Sequence, residues 1–178
     1  MLRSLGAYPE ALALYDEAEK RFPERYFRIA IVRGSTARQL GDYPRALHAL
    51  DELVAKHGPQ DGMMYHYHRA QTMIRLDRFA DAVTEASAGI EDQPDYAWAF
   101  VARACAQSSL NQSDAARSDL DQALRLFQAD QGRIPSDHFA AIISELAQIR
   151  ENLEPGAPCR VFGREPGESR RERSAQLK

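Results

Sequence analysis

The stretch LGDYPRAL, residues 40–47, decides how this chain is read, because it returns three more times. LGAYPEAL begins at Leu5, LDRFADAV at Leu76 and LNQSDAAR at Leu110. The second residues of the four phrases, Gly6, Gly41, Asp77 and Asn111, stand 35, 36 and 34 residues apart. A period of that length marks a stack of similar units, each touching mainly its neighbours, rather than one globular knot. It also orders the functional question. Repeat stacks present a long concave surface, so what the chain holds comes before what it catalyses.

On either side of the phrase, each unit reads as two helices. In the third unit MMYHYHRAQTMIRL, residues 63–76, places large residues at helical spacing, with Ala70 as a close-packing position. Asp77 and Arg78 form a turn, and FADAVTEASAGI, residues 79–90, puts Phe79, Ala82, Val83, Ala86 and Ile90 on one face of a second helix. Pro94 then ends the unit, as Pro23 ends the first and Gly58-Pro59 the second. Gly34, Ala70 and Ala104 recur at one place in the first helices; Ala11, Ala46, Ala82 and Ala116 recur in the second helices. Antiparallel helices approach closely only where side chains are small, so these positions predict the tightest contacts. Tyr8, Tyr43 and Phe79 follow the turn and plug the gap between paired helices. The fourth unit has Ser113 there, which predicts a looser pair.

These residues resemble the tetratricopeptide repeat: the unit length, the small residues at helix contacts, the aromatic after the turn and the closing proline are all similar. The resemblance runs over residues 1–127, with units near 1–24, 25–60, 61–94 and 95–127. It implies an all-α fold, an α-solenoid of about three and a half helix-turn-helix repeats plus a C-terminal capping helix. Two features depart from the family pattern. Where the family usually has a large apolar residue before the small one, this chain has Arg33, Arg69 and Arg103, whose stems can cover apolar surface while the guanidinium reaches water or a carboxylate. Only MLRSL precedes the first turn, too little for a first helix. The helix from Tyr8 to Arg21 is therefore expected to show an apolar face. A missing upstream segment or a second copy of the chain, a homodimer through the incomplete repeat, would cover it.

Downstream, HFAAIISELAQIRENL, residues 138–153, is amphipathic and can be capped by Ser136 or Asp137. It is similar to the solvating helix that closes a tetratricopeptide stack, and residues 136–154 are read as that cap. QADQGRIPSD, from Gln128, reads as a long loop before it. Residues 155–178 carry breakers and charge and read as a largely disordered basic tail, with Val161-Phe162 its one apolar spot.

Composition narrows the function. Net charge is -3, which gives no reason to expect nucleic-acid binding. The charge is uneven: the tail from Pro155 has six basic and three acidic residues, leaving the body at -6. No apolar run approaches a membrane span, and no signal-peptide pattern opens the chain. Two cysteines, Cys105 and Cys159, do not make a disulfide scaffold, so a reducing cytoplasm is expected. No catalytic constellation emerges and no cofactor is implied. His66 and His68 stand two apart on a helix and point to different sides, unlike a metal pair four apart. Cys105 has no histidine near it in sequence, and no glycine-rich phosphate loop is present.

In tetratricopeptide stacks the first helices line the concave side. The resemblance therefore assigns a groove to Arg28, Ile31, Ser35 and Arg38 from the second unit, to Met64, Tyr67, Gln71 and Arg75 from the third, and to Trp98, Val101, Cys105 and Ser108 from the fourth. Aromatics with arginine are the residue types that most often carry binding energy. The arginines suit a carboxylate or acidic side chain on a protein or peptide partner, and Tyr67 and Trp98 suit an apolar one. The chaperone-binding subclass clamps a terminal carboxylate with Lys, Asn and Arg. This groove lacks the lysine and asparagine, so that function is not implied. The expected role is a non-catalytic interaction module that binds a peptide or helical segment in the concave groove. The alternatives are a tetratricopeptide-type secretion chaperone and the repeat portion of a larger enzyme such as a transferase.

Overall fold

The computed structural model describes residues 8–57, 63–129 and 136–154. The Gly6 turn, the loop at 130–135 and the tail from Pro155 lie outside them. The described residues form eight α-helices and no strand: α1 (Tyr8–Arg21), α2 (Tyr26–Leu40), α3 (Tyr43–His57), α4 (Met63–Arg75), α5 (Phe79–Asp92), α6 (Ala97–Ser109), α7 (Ser113–Ala129) and α8 (Ser136–Glu151). A 3-10 turn at Pro23–Arg25 leads into α2. The fold is the all-α solenoid class. The helices divide into two compact units, α1–α3 and α4–α8.

The recurring phrase is a turn with one hydrogen-bond plan. Gly41, Asp77 and Asn111 have φ of 85°, 56° and 61°, so each first helix ends on a left-handed residue. The next amide reaches back five residues in each of these three copies, Asp42 to Ala37 at 3.0 Å, Arg78 to Met73 at 2.9 Å and Gln112 to Gln107 at 2.9 Å. The same residues then start the second helices, whose Ala46, Ala82 and Ala116 amides bond the carbonyls of Asp42, Arg78 and Gln112 at 3.0 Å. Orphan carbonyls of one helix and orphan amides of the next are satisfied within one short stretch, residues 37–46 in the second unit, which is why the phrase survives with different side chains.

The small residues sit where the helices meet. Ala46, Ala70, Ala82 and Ala116 are fully buried and Ala104 almost so. A Cβ placed on Gly34 would lie 3.2 Å from the Ala46 carbonyl oxygen and 3.3 Å from Leu50 Cγ, so α2 and α3 approach to the limit that glycine allows. Gly89 on α5 is tighter still: its Cβ would lie 2.9 Å from His66 Cβ on α4.

The expected loosening at Ser113 is not what the fold contains. The α6/α7 pair lies in the largest apolar cluster, in which Phe100, Val101, Leu120 and Phe127 pack with Leu146 and Leu153 from α8 and the segment after it. Phe127, near the far end of α7, and Leu146 of α8 are buried in that cluster, so the pair is packed there by residues outside the recurring phrase. Arg150 of α8 is held by the Asp121 carboxylate of α7, and Arg117 donates to the Leu153 carbonyl at 3.1 Å.

The three departing arginines face carboxylates in the helix interfaces. Arg33 donates to Glu19 of α1 at 2.8 Å and to Glu52 of α3 at 2.7 Å. Arg69 pairs with Glu85 of α5 at 3.2 Å and donates to its own helix's Tyr65 hydroxyl at 2.7 Å. Arg103 forms a two-pronged bond to Asp119 of α7, at 2.7 and 2.8 Å, and reaches Ser87 of α5 at 3.2 Å. Guanidinium geometry lets one side chain bridge a first helix to its second helix and, for Arg33 and Arg103, to the preceding one as well. In the α1–α3 unit Leu14 and Phe22 are exposed large apolar residues, at 52% and 41%.

Candidate functional site

The residues assigned to the concave side fall into two groups, one in each compact unit. On α2, Arg28 is exposed and Arg38 half-buried, while Ile31 and Ser35 are buried. On α4 and α6, Tyr67, Arg75 and Trp98 are half-buried, whereas Gln71, Val101, Cys105 and Ser108 are buried. Met64 lies in α4 with its side chain outside the described set. The side chains that reach solvent are thus Arg28, Arg38, Tyr67, Arg75 and Trp98.

Helix packing brings three of the α4/α6 residues together. The Tyr67 and Trp98 ring centroids lie 6.5 Å apart, and the Gln71 side-chain amide donates to the Tyr67 hydroxyl at 2.6 Å. Four residues separate Tyr67 and Gln71 in sequence, one helical turn, so the amide fixes the phenol's tilt. Among the described residues the Gln71 side-chain carbonyl oxygen meets no hydrogen-bond partner, although the residue is only 4% exposed. Two aromatics that the sequence reading did not assign complete the cluster. Tyr96 meets Tyr67 edge to face at 5.6 Å, and Phe127 meets Trp98 at 5.0 Å. Tyr96 was findable as the aromatic immediately before α6. Phe127 was not, because it comes from the far end of a second helix. Burial pushes the Tyr96 phenol above its ordinary value, the Tyr67 phenol adds to the shift, and Tyr96 stays neutral. The cluster is a set of packed rings, with the Gln71 amide bonded to the Tyr67 hydroxyl at one side.

The histidines separate as helical geometry requires. His66 faces α5, with Nδ1 at 2.8 Å from Glu85 and Nε2 at 3.2 Å from Asp92. Its pKa is held above the ordinary histidine value, chiefly by the hydrogen bond to Glu85 and further by Asp92, against the opposing effect of burial. His68 is buried on another side of α4, its ring 5.2 Å from that of Tyr67. Among the described residues no three His, Cys, Asp or Glu side chains gather as a metal-ligand set, and no helix is long and apolar enough to cross a membrane. Cys105, expected as a reduced thiol, is disulfide-bonded instead.

Residues 31–97 match the family model for the tetratricopeptide repeat. Among solved structures, the thermophilic TPR protein TTC0263 of Thermus thermophilus is similar over 99% of this chain and 94% of its own, at 22% identity and a TM-score of 0.64. MamA is similar over 84% of this chain and 92% of its own, at 17% identity and a TM-score of 0.61. The TPR2B domain of yeast Sti1, in its pHsp70 complex, is similar over 69% and 97%, at 21% identity and a TM-score of 0.57. At these identities the likeness speaks to the fold. Among curated proteins none matches the sequence.

Proposed function

We propose that the chain, whose residues 31–97 match the tetratricopeptide-repeat model, is a non-catalytic interaction module that holds an extended or helical segment of a partner protein. The observation that carries this reading is the aromatic cluster of Tyr67, Tyr96 and Trp98, with the Gln71 amide bonded to the Tyr67 hydroxyl, on the first helices α4 and α6. Half-buried aromatics on rigid helices are the anchors that binding energy concentrates on. The likeness to the Sti1 domain, solved in a complex, supports the same class of role. The partner segment carries an apolar anchor residue for Trp98 and Tyr67, with an acidic side chain or carboxylate near Arg75; Arg28 and Arg38 supply the same charge on α2.

The test is selection of phage-displayed linear peptides on the immobilised chain. The expected result is a consensus with an aromatic or branched apolar residue near an acidic one. Tyr67→Ala and Trp98→Ala should each weaken the selected peptide about tenfold or more. Arg75→Glu should weaken it further at low salt than at high salt. Absence of any consensus, or binding that survives both aromatic truncations in folded protein, would remove the reading.

A further inference from the structure

Helix α1 divides its charges between two sides. Asp16 pairs with Arg33 and Arg45 at 3.5 and 3.0 Å, and Glu19 pairs with Arg33 and Lys56 at 2.8 and 3.0 Å, so these two acids are taken by α2 and α3. Glu17 and Lys20 are exposed and form no ion pair among the described residues. Beside them stand Leu14 and Phe22, two of the three large apolar residues exposed among the described residues. Phe22 is held in place. Its amide donates to the Ala18 carbonyl at 2.8 Å, and its carbonyl accepts from the Arg25 amide at 2.9 Å. The Arg21 and Arg25 guanidinium carbons lie 5.6 and 5.7 Å from its ring centroid. A ring fixed in this way loses little rotamer freedom when it is covered.

These residues are complementary to themselves under a half-turn. Leu14 lies four residues before Ala18 and Phe22 four after it; Glu17 lies one before and Lys20 two after. Two α1 helices laid antiparallel, with the twofold axis level with Ala18, therefore set Leu14 of each copy against Phe22 of the other. The same half-turn brings Glu17 of each copy within about 1.5 Å of level with Lys20 of the other. At about 100° per residue, Leu14 and Phe22 fall to one side of the contact line and Glu17 and Lys20 to the other, so the apolar and charged pairs do not cross. Parallel α1 helices would instead bring Glu17 onto Glu17 and Lys20 onto Lys20.

We propose that the chain forms a weak antiparallel dimer through α1, in which Leu14 of each copy packs on the Phe22 ring of the other and Glu17 of each pairs with Lys20 of the other. A twofold interface requires a patch in which residue i meets j and j meets i, and this face satisfies that for both its apolar and its charged pair. One helix crossing buries less than the roughly 1,200 Å² at which stable complexes begin, so the dimer depends on concentration. Its exposed charge pairs make it weaken with salt as well. The interface lies on α1 alone and does not rest on the groove reading above.

Sedimentation equilibrium of the full chain over about 5–500 µM reads the dimer, with dithiothreitol present so that no intermolecular disulfide contributes. The expected result is a reversible monomer–dimer equilibrium. Leu14→Glu should weaken it about tenfold or more. Glu17→Lys and Lys20→Glu should each do the same, because each places like charges opposite one another twice. The two charge variants are then mixed. Opposite charges now face each other at both pairs, so a heterodimer of the two should form with about the wild-type affinity. The double variant Glu17→Lys, Lys20→Glu should dimerise as the wild type does. Circular dichroism checks that each variant keeps its helices. A wild type that stays monomeric over the whole range would overturn the proposal and leave this face to another occupant. A dimer untouched by Leu14→Glu, or charge variants that do not associate on mixing, would overturn it equally.

Discussion

Replacing Asp119 with alanine tests whether the departing arginines hold the repeats together. Asp119 is 6% exposed, and both its oxygens accept from Arg103, at 2.7 and 2.8 Å, across the α6/α7 interface. Removing it leaves the guanidinium with the Ser87 hydroxyl at 3.2 Å and the Phe100 ring, 5.6 Å from the cation. Breaking a buried pair from one side costs about 3–5 kcal/mol. The Arg103 side chain keeps 23% of its exposure, so water recovers part of that, and the expected loss is about 2–3 kcal/mol. The double variant Arg103→Met, Asp119→Leu removes both charges and keeps the volume, so it should return to within about 1 kcal/mol of the wild type. Urea unfolding followed by Trp98 fluorescence is the assay, because Trp98 packs on Phe127 in the same cluster and reports the α4–α8 unit alone. A cost below about 0.5 kcal/mol for Asp119→Ala, or a double variant no better than the single one, would refute the reasoning.

Four further outcomes follow from the same geometry. His66 has a folded pKa raised above 6.5, so the stability it adds is fully present below that value and is lost as pH rises through the folded pKa; the urea midpoint of the wild type relative to His66→Gln should fall as pH rises from 6.5 through that folded pKa. Gly89→Ala, whose Cβ would stand 2.9 Å from that of His66, should cost about 1–3 kcal/mol in the same assay. Gly34→Ala, with contacts at 3.2–3.3 Å, should be near neutral, because the gain in helix propensity of about 1 kcal/mol offsets the crowding. Asn111, at φ 61°, should tolerate Gly with little change, while Asn111→Val should lower the thermal midpoint by an amount matching about 1–2 kcal/mol.

Much of the fold was legible because it is local. The left-handed turn residue, the amide that reaches back five residues and the alanine that opens the second helix lie within one short phrase, so their spacing shows in the one-dimensional string. Partners contributed from a distance were not legible. Arg33, Arg69 and Arg103 stood out as departures, but which carboxylates they meet depends on how the helices cross: Glu85 and Asp119 lie 16 residues on from Arg69 and Arg103, whereas Glu52 lies 19 on from Arg33. Ser113 misled for the same reason. The apolar packing of the α6/α7 pair draws on Phe127 and on Leu146 of α8, 14 and 33 residues away from it in sequence.

By itself the sequence determined the repeat, its register, the positions too crowded for large side chains and the absence of a recognisable catalytic constellation, because each depends on spacing along the chain. The tertiary structure alone decided which groove residues reach solvent. Helix packing buried Val101, Cys105 and Ser108 and left Tyr67, Arg75 and Trp98 half-open, a division set by what lies above each residue. It also joined Tyr96 and Phe127 to the aromatic cluster, since ring contacts depend on distance in space.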